Sequence, residues 1–406
     1  MTTLASLCEL IVDCEHKTAP TSSTGYPLIR TPDIGVGRLL TEDALRVDEA
    51  TYRLWTKRAV PEEGDLILAR EAPVGNVGII KRGIRPVLGQ RTVLIRPKTD
   101  VLDPGYLNFL LSAPLLRNWM IGVSIGATVP HLNMSDIRSM ELPPLPPVEV
   151  QRKIAAILSA YDDLIENNNR RIKLLEEMAK RIYREWFVDF RYPGHEAVPL
   201  VESELGPLPK GWVAAPLFEV AEVTFGYPFK SELFNGDYGL PVIRIRDIPN
   251  GESGTLTLEE PSGVYRVSDG DILIGMDGNF HMGRWSAGDA WLNQRVTRLR
   301  VISKAVCRYA LFLALEKPIG DWNQAIVGTT VAHLGKSHLE LVNIPVPPLS
   351  LGMQLSVLLD PMFDVEITLR KSNRNLRKAR DILLPRLISG EIDVTDLDIA
   401  LAETAA

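Results

Sequence analysis

Cysteine is nearly absent from this chain of 406 residues: Cys8, Cys14 and Cys307 are an odd number with no C-x-x-C pair, so neither a disulfide framework nor a zinc site is expected. They read as buried thiols. The six histidines are scattered along the sequence, and no metal ligands are assigned. No apolar run approaches the roughly 18 residues that a membrane span needs. Residues 1–10 lack a basic stretch followed by an apolar one, so a cytoplasmic protein without membrane association is expected. Signatures of catalysis are missing as well. There is no G-x-x-x-x-G-K-[ST] phosphate loop, no G-x-G-x-x-G after a strand, no H-E-x-x-H and no G-x-S-x-G elbow. No catalytic residue is therefore assigned, and the chain is not expected to be an enzyme. Excess positive charge is also lacking. A net charge of −6 excludes indiscriminate coating of nucleic acid, which depends on neutralising phosphates. The balance is uneven, however: residues 16–98 hold 14 Lys and Arg against 9 Asp and Glu, whereas residues 216–303 hold 8 against 12.

What the chain does contain is a duplication. Its length exceeds one ordinary core, and four motifs recur in order. Gly25-x-Pro27-x-Ile29-Arg30-x-x-Asp33-Ile34 matches Gly239-x-Pro241-x-Ile243-Arg244-x-x-Asp247-Ile248. Gly64-Asp65 matches Gly270-Asp271, and Gln90-Arg91 with Arg96 matches Gln294-Arg295 with Arg300. Finally, Gly126-x-Thr128-Val129-x-His131-Leu132 matches Gly328-x-Thr330-Val331-x-His333-Leu334. Apolar, β-branched runs such as residues 65–69 and 92–96 predict strands, while residues 106–119 and 308–315 predict short helices. Each copy is thus a mixed α/β globule.

Proline clusters, Pro143 to Pro147 and Pro345 to Pro348, end each globule and predict stiff extended collars. After the first, Ile154, Leu158, Tyr161, Ile165, Asn168, Ile172, Leu175, Ala179, Ile182 and Trp186 alternate in steps of 4 and 3, a heptad seam. After the second, the same rule selects Leu355, Leu358, Met362, Val365, Leu369, Ser372, Leu376, Ala379 and Leu383. Asn168 is either a solvated position or a buried polar pin of helix register. Pro361 interrupts the second pattern, with Asp360 available to cap a restarted helix.

Arg30 with Arg244, and Arg91 with Arg295, suit either structural ion pairs or contacts to DNA. His131 and His333 suit either packing or recognition. If the two copies read different DNA sequences, they must diverge where they touch base edges. The stretch carrying Arg70, Asn76, Lys81 and Arg82 differs from that carrying Asn279, His281 and Arg284, and Arg to guanine and Asn to adenine are favoured pairings.

The chain resembles the specificity subunits of type I restriction-modification enzymes over essentially its full length. The likeness rests on Leu7-Cys-Glu-Leu-Ile-Val-Asp13-x-x-His16-Lys17-Thr18, on the proline collars followed by Gln151 and Gln354, and on Trp186-Phe187-Val-Asp-Phe190. It rests also on Gly206-Pro-Leu-Pro209-Lys-Gly211-Trp212 and on Leu384-Pro385-Arg386-Leu387-Ile-Ser-Gly390-Glu391-Ile392. The resemblance implies an α+β protein with target recognition domains over residues 1–143 and 196–345. Helical spacers over 144–195 and 346–395 would form long antiparallel coiled-coil helices, followed by a tail over 396–406. It implies that each recognition domain reads one half of a split target in double-stranded DNA, and it adds His16, Lys17 and Arg246 to the candidate DNA contacts. It also implies that the helices dock two methyltransferase subunits, while restriction and translocase subunits complete the enzyme. S-adenosylmethionine, ATP and Mg are expected only in those partners, and no cofactor in this chain. A fused methyltransferase-nuclease would need a cofactor glycine motif and a [DNS]-P-P-[FYW] tetrad, neither of which occurs. A scaffold without DNA contact remains the other alternative.

Overall fold

The computed structural model describes residues 2–126, 130–325 and 333–399. Most of the residues between Gly126 and His131, the stretch before His333 and the end of the tail lie outside them. The chain divides into two compact units, one of residues 1–164 and 376–406 and the other of residues 165–375. The division falls inside each long helix rather than at the proline collars.

The first unit contains β1 (Cys8–Asp13), β2 (Tyr26–Ile29), β3 (Gly37–Arg38), β4 (Arg46–Val47), α1 (Glu49–Trp55), β5 (Leu66–Ala69), β6 (Val77–Ile79), β7 (Val87–Leu88) and β8 (Thr92–Pro97). One sheet has the order β1-β8-β5-β6-β3 and a second the order β4-β2-β7. The wholly apolar strand β5 is explained by burial on both faces. Leu66 and Leu68 point into a core built with Leu107, Leu110 and Leu111, while Ile67 and Ala69 point into another with Ile29, Ile34 and Leu88. The single helix expected over 106–119 is two, α2 (Pro104–Ser112) and α3 (Pro114–Val123), because Pro114 forces Ala113 into an extended conformation. After α4 (Met134–Ser139), α5 (Val148–Tyr183) runs for 36 residues, about 54 Å.

The second unit begins within α5 and continues with a small hairpin of β9 (Leu200–Val201) and β10 (Leu208–Pro209), then β11 (Val213–Pro216) and α6 (Leu217–Val220). There follow β12 (Ala221–Phe225), β13 (Leu240–Ile243), β14 (Leu256–Thr257), β15 (Arg266–Val267), β16 (Ile272–Gly275), β17 (Met282–Arg284), β18 (Ala290–Leu292) and β19 (Val296–Val301). The unit continues through α7 (Arg308–Ala325), α8 (Lys336–Leu339), β20 (Asn343–Val346) and into α9 (Leu349–Ile388). Its sheets repeat those of the first unit as β12-β19-β16-β17 and β14-β13-β18-β15. The register repeats as well: Leu66 faces Ile95 as Ile272 faces Leu299, and Ile29 runs parallel to Leu88 as Ile243 does to Leu292.

Most of the repeated motif residues turn out to hold this scaffold. Gly25 and Gly239 have φ of +114° and +97°, and a Cβ there would lie 2.2 Å from the Val47 carbonyl oxygen or 1.9 Å from that of Thr257. The Arg30 backbone N–H donates to Asp33 at 3.0 Å and that of Arg244 to Asp247 at 2.9 Å, closing one turn of helix in each copy. Asp65 accepts two bonds from Arg96, both 2.7 Å, and Asp271 accepts two from Arg300 at 2.6 and 2.7 Å.

The long helices pack antiparallel within both units. In the first, Asp162 of α5 pairs with Arg380 of α9. In the second, Asn168 is buried and donates to Asn373 at 2.9 Å, and Asn373 donates to Asn169 at 2.8 Å. Asn168 thus forms a buried polar cross-link. Of the expected seam of α5, Ile154, Leu158, Ile165, Ile172 and Ala179 are buried, as is Trp186 just beyond it, while Leu175 and Ile182 are half-buried. The heptad phase fails in α9. Leu355 and Leu369 are buried and Leu376 and Leu383 half-buried, but Leu358 and Val365 are 48% and 41% exposed. The buried row is Leu351, Leu355, Leu359, Phe363 and Ile367, because this part of α9 packs on the core of its own globule as well as on α5. Nor does the helix restart at Pro361. It runs unbroken for 40 residues. The carbonyl that Pro361 cannot engage belongs to Val357, a residue 75% exposed, where water can satisfy it. Asp360 instead pairs with Arg308 at 3.3 Å.

Candidate nucleic-acid interface

In each unit one end of the central sheet gathers loops from distant parts of the sequence. In the first unit β1 and β5 end there, and β6 and β8 begin. The Arg70 N–H donates to the Arg91 carbonyl at 2.8 Å, and the Leu132 N–H donates to the Arg70 carbonyl at 3.0 Å. Glu71 lies 3.2 Å from the Arg91 guanidinium and bridges to His131 through the backbone. The second unit repeats this through Met276: its N–H donates to the Arg295 carbonyl at 2.9 Å, and its carbonyl accepts from Leu334 at 2.7 Å. Asp277 lies 3.2 Å from Arg295 and 2.7 Å from His333, to which it also bridges. An arginine, an acid and a histidine, about 20 and 60 residues apart in sequence, therefore meet at the same place in both copies.

Exposure separates the groups that can reach a ligand from those that support them. The side chains of Arg91 and Arg295 are 53% and 50% exposed. An ion pair so exposed contributes about 0–1 kcal/mol, so turning the guanidinium toward a phosphate or base edge costs little. His16, itself half-exposed, stands 3.0 Å from Asp13 at the same sheet end, beside exposed Lys17. Arg30 adjoins it: the Gly89 N–H, two residues before Arg91, donates to the carbonyl of Ile29 at 2.8 Å. Asn279 and His281 lie in the matching loop of the second unit, and Arg246 is 70% exposed in the turn after β13.

Several expected contacts are placed elsewhere. Arg70 is buried, with Nη1 2.7 Å from Asp13 and Nε donating to the Leu132 carbonyl at 2.8 Å. Asn76 is buried beneath its loop and donates to the Ile34 carbonyl at 2.8 Å. Arg284 has an 8% exposed side chain paired with Glu176 and Glu366. Lys81 and Arg82 follow the far end of β6, where Lys81 pairs with Asp163 of α5 at 3.1 Å. Divergence between copies marked these positions, yet divergent packing produces the same signal. Arg70→Ala is accordingly expected to lower stability by about 2–4 kcal/mol, seen in a melting curve, while leaving base preference intact.

Asp13, Cys14 and His16 bring three possible metal-ligating atoms together. The Arg70 guanidinium already neutralises Asp13, which opposes a cation there. Burial pushes the thiols of Cys8 and Cys307 up to about 12, keeping them protonated. Sequence reasoning missed the aromatic group beside Arg295. Tyr227 bridges to Asn293, stands 5.0 Å from Phe229 and 5.4 Å from Tyr265, and occupies a corner that in the first unit holds Glu15.

Two like globules presenting like polar sheet ends, tied to paired helices, define a tandem recognition protein. The model of the type I restriction modification DNA specificity domain matches residues 16–177 and again residues 209–376, and the chain belongs to that family of DNA-binding specificity subunits. It is 28% identical to the type I restriction enzyme MjaIX specificity subunit of Methanocaldococcus jannaschii over 376 residues, 89% of this chain and 83% of that protein. Over 192 residues, 46% of this chain and 40% of the relative, it is 30% identical to the EcoBI specificity subunit of Escherichia coli. The crystal structure of the type I restriction-modification S subunit from M. genitalium shares the fold, with a TM-score of 0.61 and 16% identity over 95% of both chains. Among the described residues no helix is long and apolar enough to cross a membrane.

Proposed function

We propose that this chain reads a bipartite DNA target, each globule recognising one half through the sheet end that carries Arg91 or Arg295, and that the paired helices set the gap between the halves. The repeated arginine–acid–histidine group carries this reading, because it recurs in both units, with its arginine half-exposed, at the same end of the sheet. The chain supplies no chemistry of its own. Its partners are two methyltransferase subunits, docked on the helices, and restriction and translocase subunits. S-adenosylmethionine, ATP and Mg act in those partners. The acidic balance of the second half then suits a subunit whose partners provide part of the phosphate-binding surface.

Mapping methylated bases in cells with and without the gene tests the reading directly. A split motif must disappear with the gene. A pure scaffold predicts that the motif survives when both sheet ends are altered. Arg91→Ala is expected to weaken binding of the assembled methyltransferase by about 1–3 kcal/mol and to relax choice at one position of one half-site if the guanidinium reads a base. If it holds a phosphate, the loss will be uniform over sequences and the salt dependence shallower. Arg295→Ala should act in the same way on the other half-site.

A further inference from the structure

The second unit holds a cluster of four charges where its globule meets the two long helices, with the Arg284 side chain buried and Glu176 and Arg370 half-buried. Glu366 of α9 is fully buried. Its carboxylate lies 2.7 Å from Arg370 and 3.0 Å from Arg284, and it accepts the hydroxyl of Tyr309. Glu176 of α5 lies 2.5 Å from Arg284 and 2.7 Å from Arg370. Arg284 reaches in from β17 with its guanidinium 4.3 Å from the ring centre of Phe312. Burial, and then the Glu366 carboxylate, raise the Tyr309 pKa, so its hydroxyl stays protonated and donates. Two cations and two anions cancel, and β17, α5, α7 and α9 all contribute.

Stability alone does not explain such a cluster, since desolvating charges can offset their attraction and well-packed apolar residues often serve as well. The fold does not demand charge here either. Ile79 occupies the position of Arg284 in the first unit, facing Leu66 as Arg284 faces Ile272. What the charges add is directionality: apolar surfaces can slide over one another, whereas these bonds close in one arrangement only.

We propose that Arg284, Glu366, Glu176 and Arg370 are positioning residues that lock the second globule onto the helix pair in one orientation, so that the enzyme accepts one spacing between half-sites. The proposal rests on the reading of the helices as the ruler between those half-sites. The lock touches no DNA and acts through the placement of the second sheet end.

The test uses the assembled methyltransferase containing the full chain and duplexes with native half-sites at the native spacing or one base pair shorter or longer. The variant Arg284→Met with Glu366→Met and Tyr309→Phe removes one charge of each sign and leaves the Glu176–Arg370 pair. Methylation at the native spacing should persist, while discrimination against the altered spacings falls on the order of tenfold. A folded variant that discriminates as the wild type does overturns the lock, as does one whose second half-site sequence changes. If the triple variant does not fold, Arg370→Lys, which keeps the charge but loses its two-sided bonding, should loosen spacing about threefold, and unchanged discrimination by it counts equally against the lock. Wild-type enzyme indifferent to spacing would instead sink the ruler reading itself.

Discussion

Replacing residues 2–142 as a block with the matching segment of a relative that has a different target is expected to change one half of the methylated sequence completely and leave the other half untouched. The boundaries follow from the sheet. β1 lies beside β8, with Ile11 facing Ile95 and Asp13 facing Val93. The segment before it is tied to the far end of the globule, the Leu4 N–H donating to the Met140 carbonyl and the Leu142 N–H to that of Thr2, at 2.8 and 3.0 Å. An exchange beginning at Gly25, where the repeated motif begins, would strand β1 with Asp13 and His16 from one protein against Arg70 and Arg91 counterparts from another. The largely buried Asp13–Arg70 pair would then be left to chance, and losing it costs about 2–4 kcal/mol. The block from residue 2 avoids that mismatch. Long-read mapping of methylated bases provides the measurement, and simultaneous change of both half-sites would show that the globules do not read independently.

The duplication was legible because its motifs are short-range geometry that each copy must repeat. Gly25 and Gly239 allow a strand approach that no side chain fits, and Asp33 and Asp247 close turns within three residues of Arg30 and Arg244. Local constraints leave local signatures. The sorting of arginines was not legible, since a guanidinium that bridges two loops and one that faces solvent are the same letter. Arg70 and Arg284 differ from Arg91 and Arg295 only in what surrounds them, namely Asp13 for one and Glu176 with Glu366 for the other, residues between about 57 and 108 positions away. The helix pattern was half legible for a related reason. A heptad describes a helix that meets one partner, which suits much of α5. α9 buries two faces, against α5 and against its own globule, and its apolar row shifts accordingly. Proline misled because its effect depends on whether the carbonyl it abandons can find water, as that of exposed Val357 can.

Lengthening both helices together should lengthen the unread gap in the target. Asp162 pairs with Arg380 on one side of the division between units, and Asn168 with Asn373 on the other. Four residues added to α5 between Asp162 and Asn168 therefore need four more in α9 between Asn373 and Arg380. A lone insertion lets only one of these cross-links form in register, leaving a buried amide or a partly buried carboxylate without its partner, at a cost of about 1–3 kcal/mol. The matched pair keeps both. It extends each helix by about 6 Å, and since DNA rises about 3.4 Å per base pair, the spacing between half-sites should grow by one or two base pairs with both half-site sequences unchanged. Four residues exceed one turn only slightly, so the buried rows on either side stay nearly in phase. The measurement is the methylated motif of cells carrying the doubly extended chain, with the singly extended chain as control for register. A doubly extended chain that folds, assembles and still methylates the original spacing would remove the helices as the ruler and leave them as a docking surface alone.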